Sequence, residues 1–202
     1  MSKEIDAIKT FIEISKKETD EFLSNVDLDS VKKAAELIIE AKKRGNRLHI
    51  SGIGKPAHIA GYAASVISST GTPAYFLHGT EAVHGSCGQL VKGDIVIMIS
   101  NSGETAEMKA TVNAIKNNGC EIIGVSGKSE SWLAKESAAF LFAGVKEEGG
   151  PLNRAPRMSI IAETFILQIL SLYLQMDYDL DPKQYVKWHP GGSLGHLREN
   201  EK

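Results

Sequence analysis

The sequence predicts one α/β domain built around a five-stranded parallel sheet, and two observations carry that prediction. Five short apolar runs, Leu48-His49-Ile50-Ser51, Ala74-Tyr75-Phe76-Leu77, Ile95-Val96-Ile97-Met98-Ile99, Ile122-Ile123-Gly124-Val125 and Phe140-Leu141-Phe142, begin at intervals of roughly 20 to 30 residues. Most are β-branched or aromatic and apolar along their length, which marks strands buried on both faces. The intervals between them carry helical patterning, so strand and helix alternate as βα units.

The first 45 residues read as helices packed on that core. Ile5, Ile8 and Ile12 recur at three- and four-residue steps among Lys, Glu and Asp. Asp27 to Asp29 break the pattern. A second helix from about Ser30 then carries Val31, Ala34, Ala35, Ile38 and Ile39 as one stripe and stops at Gly45. Beyond the fifth run, Ser159 to Gln175 is apolar on more than one face, through Ile160, Ile161, Phe165, Ile169, Leu170 and Leu172. Such a helix needs cover on most sides, from its own sheet or from another subunit. No repeat, low-complexity tract or linker divides the chain, so residues 1–202 are expected to form a single domain.

Composition narrows the function classes. A formal charge of −2 leaves no basic excess for a nucleic-acid footprint. Apolar residues at 42% and charged residues at 24% are ordinary globular usage. Cys87 and Cys120 form no C-x-x-C and suggest a reducing, cytoplasmic setting. The N-terminus lacks the unbroken apolar core of a signal peptide, and no run of 18 apolar residues suggests a membrane partner.

Chemistry is expected where strands end, because open α/β sheets place ligands there. Ser51-Gly52-Ile53-Gly54-Lys55-Pro56 follows the first strand. Gly52 and Gly54 let backbone approach a ligand, and Pro56 suits a first helical turn. As a G-x-G-x-x-A dinucleotide fingerprint it lacks an acid after the second strand. A tight βα turn accounts for the glycines, while Lys55 points to a site. Ser100-Asn101-Ser102-Gly103-Glu104-Thr105 follows the third run. A simple cap needs one hydroxyl, whereas three hydroxyls and a glycine before a helix suit a phosphate. His78, Glu81 and His84 carry zinc-ligand chemistry, but their spacing does not put all three on one helical face. Loop histidines or polar contacts to a sugar are the other readings. Glu104, Glu107, Glu147, Glu148 and His189 are each explicable singly as dipole partners or solvated surface; together they offer groups that move protons between adjacent carbons.

The motifs Gly-Ile-Gly-Lys, Phe-Leu-His-x-x-Glu-Ala-x-His-Gly, Ser-Asn-Ser-Gly-Glu-Thr-x-Glu, Pro-Leu-x-x-Ala-Pro and His-Pro-Gly-Gly-Ser-Leu-Gly, in that order from about Leu48 to Leu197, resemble the D-arabinose 5-phosphate isomerases of the SIS (sugar isomerase) domain family. The resemblance implies a flavodoxin-like αβα sandwich and interconversion of D-ribulose 5-phosphate and D-arabinose 5-phosphate, feeding Kdo and lipopolysaccharide synthesis. It also implies a homotetramer with sites shared between subunits, and no metal or other cofactor. Carried over by position, the catalytic residues fall on Lys55, Glu107, Glu148, His84 and His189. Phosphate and sugar contacts fall on Gly54, Ser100, Asn101, Ser102, Thr105 and His78, and Glu148 is the expected base, with Glu107 the second candidate.

Three departures stand out. Pro56-Ala57-His58 replaces the usual Ser-Gly-His after the lysine. Arg157-Met158-Ser159-Ile160 replaces a Thr-Ser-Ser-Thr run, which makes Arg157 the expected substitute donor. The chain resembles the stand-alone members without CBS domains, so regulation through such domains is not expected. A phosphosugar-binding sensor without catalysis, or an isomerase of another phosphosugar, is the competing reading.

Overall fold

Each of the five apolar runs forms a strand: β1 (Leu48–Gly52), β2 (Ala74–His78), β3 (Ile95–Ile99), β4 (Glu121–Ser126) and β5 (Ala139–Phe142). All pair in parallel, in the order β2-β1-β3-β4-β5. This computed structural model describes residues 2–202. Eight α-helices are seen among them: α1 (Lys3–Ser24), α2 (Leu28–Lys43), α3 (Lys55–Ser69), α4 (Gly79–Ala82), α5 (Ala106–Asn117), α6 (Trp132–Glu136), α7 (Met158–Tyr178) and α8 (Pro182–Trp188).

The pleat of β3 divides the core into two layers. Ile95, Ile97 and Ile99 join Val31, Ala34, Ile38, Ala60, Ile67, Ala162, Ile166 and Leu170, from α2, α3 and α7. Val96 and Met98 instead join Met108, Val112 and Ile115 of α5 and Leu133 of α6. The result is the expected three-layer αβα sandwich, in which both faces of a parallel sheet are covered.

The second helix starts at Leu28 rather than Ser30 because Asp27 caps it, accepting from the N–H groups of Asp29 and Ser30 at 3.0 and 3.2 Å. The apolar run of residues 159–175 extends to a helix of 21 residues, α7. It is long and apolar enough to cross a membrane by composition, yet half of it is buried inside the fold. Its packing against α1, α2 and α3 makes it a core helix. Leu172 and Met176 nonetheless remain 58% and 73% exposed, an uncovered patch near its C-terminal end.

Candidate active site

The strand order reverses between β1 and β3, the switch point where doubly wound sheets bind ligands. A cleft of about 470 Å³ opens there, at the carboxyl ends of the strands. Ile53 and Pro56 line it after β1; Ser100, Asn101, Ser102 and Thr105 line it after β3, followed by Glu107 on α5. Glu148, Arg154 and Pro156 approach from the loop before α7, and Ser159 and Glu163 from α7 itself. A cavity of about 510 Å³ between α1 and β5 is larger, but it shares no lining residue with this cleft.

Three helices, α3, α5 and α7, begin around this cleft. Away from it, α2, α6 and α8 are capped by the side chains of Asp27, Ser131 and Asp181. At the cleft, neither Gly54 before α3 nor Thr105 before α5 makes a side-chain cap. The first-turn N–H groups of α5 are therefore left for an anion, with the helix dipole behind them. Gly54 turns into α3 at φ +70°, where a side chain would strain the backbone. Gly52 has no room for a Cβ, which would meet the Pro56 carbonyl at 2.8 to 2.9 Å. Ser100 Oγ accepts from the Gly103 N–H at 3.2 Å and Ser102 Oγ from the Glu104 N–H at 3.3 Å. Both hydroxyl protons stay available to a ligand.

The carboxylates sort by partner. Glu104 is a strut: it accepts from Lys109 Nζ and from the Trp132 N–H, both at 2.7 Å, and these bonds hold its carboxyl below the usual range. Glu107, in the first turn of α5, is exposed on the cleft. Glu148 caps the third helix start, its Oε2 accepting from the N–H groups of Arg157 at 2.6 Å and Ser159 at 3.1 Å. A turn through Asn153, at φ +47°, presents it: Asn153 Oδ1 accepts from the N–H groups of Glu148 and Gly149 at 2.6 and 3.1 Å. Glu148 is thus fixed on the cleft wall, which a solvated loop acid would not be.

Other expected residues lie on the rim or away from it. Gly54, Lys55, His78 and His84 are exposed around the same carboxyl edge but do not line the cleft. His78 Nδ1 accepts from the Glu81 N–H at 3.3 Å. Arg157 lays its guanidinium against Gly150, and Arg154 lines the cleft instead. His189 is remote. It is stacked on Tyr185 with ring centroids 3.9 Å apart, just after Trp188, whose ring lies 5.7 Å from that of Tyr178. Tyr178 ends α7 against Gly71, before β2, one helix length or roughly 30 Å from the cleft. Within one copy His189 and Glu148 do not meet. Burial pushes the Cys120 thiol up to about 11 and raises that of Cys87, so neither is a ready nucleophile. Among the described residues no group of three His, Cys, Asp or Glu is placed to hold a metal ion.

Comparison with known proteins bears on the whole arrangement. The family model described as "SIS domain" matches residues 38–172. This chain belongs to the SIS-domain family. It is 37% identical over 191 residues to arabinose 5-phosphate isomerase KdsD of Francisella tularensis, covering 94% of this chain and 58% of that protein. It is 35% identical over 198 residues to the KdsD of Pseudomonas aeruginosa, covering 96% and 60% respectively. The chain thus spans less than two thirds of the length of these curated relatives. Among solved structures, an Escherichia coli CFT073 protein in complex with arabinose 5-phosphate superposes with a TM-score of 0.82 at 33% identity, covering 94% of this chain and all of that one.

Two features of this SIS domain escape sequence reading. Glu163 is fully buried on the cleft wall with neither carboxyl oxygen hydrogen-bonded, and the Ser159 hydroxyl is buried and unbonded as well. The available signal was that Glu163 is the only charged residue between Arg157 and Asp177.

Proposed function

We propose that this SIS domain is an aldose–ketose isomerase interconverting D-ribulose 5-phosphate and D-arabinose 5-phosphate, acting in the cytoplasm on the route to Kdo. The observation that carries the reading is the fixed Glu148 carboxylate, held on the same cleft as the uncapped N-terminus of α5. The phosphate binds at the Ser100–Thr105 loop. Glu148 takes the proton from the carbon beside the carbonyl, and the C–H electron pair moves to leave an enediolate with its charge on the former carbonyl oxygen. Returning the proton to the neighbouring carbon and moving one hydroxyl proton between the two oxygens completes the isomerisation, with no net redox change. Lys55, on the rim, stabilises the oxyanion, and Glu107 is the second carboxylate in reach. His78, His84 and Arg157 are outer contacts to the sugar.

His189 acts from a neighbouring copy in this reading, since its own cleft is about a helix length away. The copies form a homotetramer that covers Leu172 and Met176 of α7, and light scattering at micromolar concentration is expected to give four times the chain mass of 21.9 kDa. A monomer would remove the shared site.

Ribulose 5-phosphate incubated with EDTA-treated protein is expected to yield arabinose 5-phosphate by NMR. Binding without turnover would favour a sensor; activity lost to EDTA and restored by zinc would overturn the metal-free mechanism. Ser102→Ala is expected to raise KM about tenfold with kcat within a fewfold, because it deletes one donor gripping substrate and transition state alike. A large fall in kcat at unchanged KM would place Ser102 in the chemistry instead.

A further inference from the structure

Glu163 lies on the cleft wall, yet neither the phosphate loop nor the Glu148 base uses it. It follows Ser159 by four residues on α7, so the two side chains share one helical face. Both are fully buried, and neither the Glu163 carboxyl nor the Ser159 hydroxyl has a hydrogen-bond partner. That face is also where Glu148 is tied down, through the Ser159 N–H at 3.1 Å. An ionised carboxylate buried without a donor is far costlier than the neutral acid, so Glu163 retains its proton at neutral pH.

We propose that Glu163 is the neutral acid of this cleft: it keeps its proton behind the Glu148 carboxylate, so the pair presents one negative charge rather than two to an anionic sugar phosphate, and its ionisation weakens the hold on that ligand. The proposal deepens the isomerase reading and rests on it for the ligand. Burial, and then the Glu148 carboxylate, push Glu163 up to about 8. Other charged groups at this end include Glu107 on α5, Arg154 and Arg157 before α7, and Lys55 and His58 opening α3; all five are exposed. From α1, Glu18 is buried but accepts the Lys146 N–H at 2.7 Å, and Glu21 pairs with the Lys146 ammonium. A buried carboxyl held neutral beside a hydrogen-bonded carboxylate divides the pair into an acid and a base.

The test has two arms. In protein labelled with ¹³C at the glutamate side-chain carboxyl, with no sugar present, one resonance is expected to titrate near pH 8 and to be missing from Glu163→Gln. Glutamates that all titrate in the ordinary range would overturn the proposal outright. Calorimetry of arabinose 5-phosphate binding is the second arm. From pH 7 to 9 the ligand's phosphate is already dianionic. Wild-type affinity is expected to fall by roughly tenfold, the order expected of one added like charge in the cleft, while Glu163→Gln stays flat. Parallel pH curves would overturn the charge-sharing role. Absence of binding at every pH would remove the isomerase reading and the ligand half of the proposal, while the carboxyl titration still decides whether Glu163 is a neutral acid. Glu163→Met, which keeps the volume without a polar atom, replaces Gln in both arms if that variant does not fold.

Discussion

Replacing Glu148 by Gln is expected to lower kcat for ribulose 5-phosphate by roughly two to four orders of magnitude, the scale of losing a positioned general base. The variant is a clean one because of how Glu148 is held. Its Oε2 accepts from the N–H groups of Arg157 and Ser159 at the start of α7. An amide oxygen accepts the same two bonds, so the cap survives, minus the charge interaction with the helix N-terminus, worth about 1 kcal/mol. The amide does not accept a proton from carbon. Folding and phosphosugar affinity are therefore expected to persist while turnover collapses. Steady-state kinetics beside a denaturation curve check both halves. A kcat near wild type would strip Glu148 of the base role and pass it to Glu107, the cleft carboxylate in the first turn of α5.

The second large effect is on stability and has a definite sign with pH. Glu163 moves from an ordinary value of 4.5 to about 8 on folding. Between those values the unfolded chain has released its proton and the native chain still binds it. Stability contributed by this group is thus full below pH 4.5 and declines as pH rises through the folded value. At about 1.4 kcal/mol per pH unit, the loss accumulated by pH 7 is of order 3 kcal/mol. Glu163→Gln carries no such term. It is expected to gain steadily on wild type in urea denaturation from pH 5 to pH 8, and to show a flatter profile there. Parallel curves for the two proteins would mean that Glu163 is not protonated in the native state.

The strands were legible because a parallel sheet covered on both faces writes continuous apolar runs, and all five runs became strands. The loop after β3 was legible as part of a candidate site for a related reason: its hydroxyls and glycine directly follow Ile95–Ile99, and Ser100, Asn101, Ser102 and Thr105 line the cleft. The carboxylates were harder. Glu104 and Glu107 stand three residues apart, yet one is tied to Lys109 and Trp132 while the other faces the cleft. The position of Glu148 depends on the turn at Asn153 and on bonds to residues 9 and 11 positions later, which no periodicity encodes. Glu163 sits inside the apolar segment of α7, where a lone acid is the signal of a buried polar function. His189 illustrates the converse. Its motif was visible in the sequence, but its distance from the cleft follows only from the path of α7 and α8.

Running the reaction in deuterium oxide tests the central claim most directly, that a carboxylate of this cleft carries a proton between adjacent carbons. With ribulose 5-phosphate, the wild-type protein is expected to form arabinose 5-phosphate carrying deuterium at the carbon that receives the proton, as seen by ¹H and ²H NMR. Glu148→Gln is expected to bind the sugar phosphate and leave it unlabelled and unconverted over the same period. Sugar phosphate that binds wild-type protein yet emerges unchanged, or label entering at the wild-type rate in Glu148→Gln, would contradict the account.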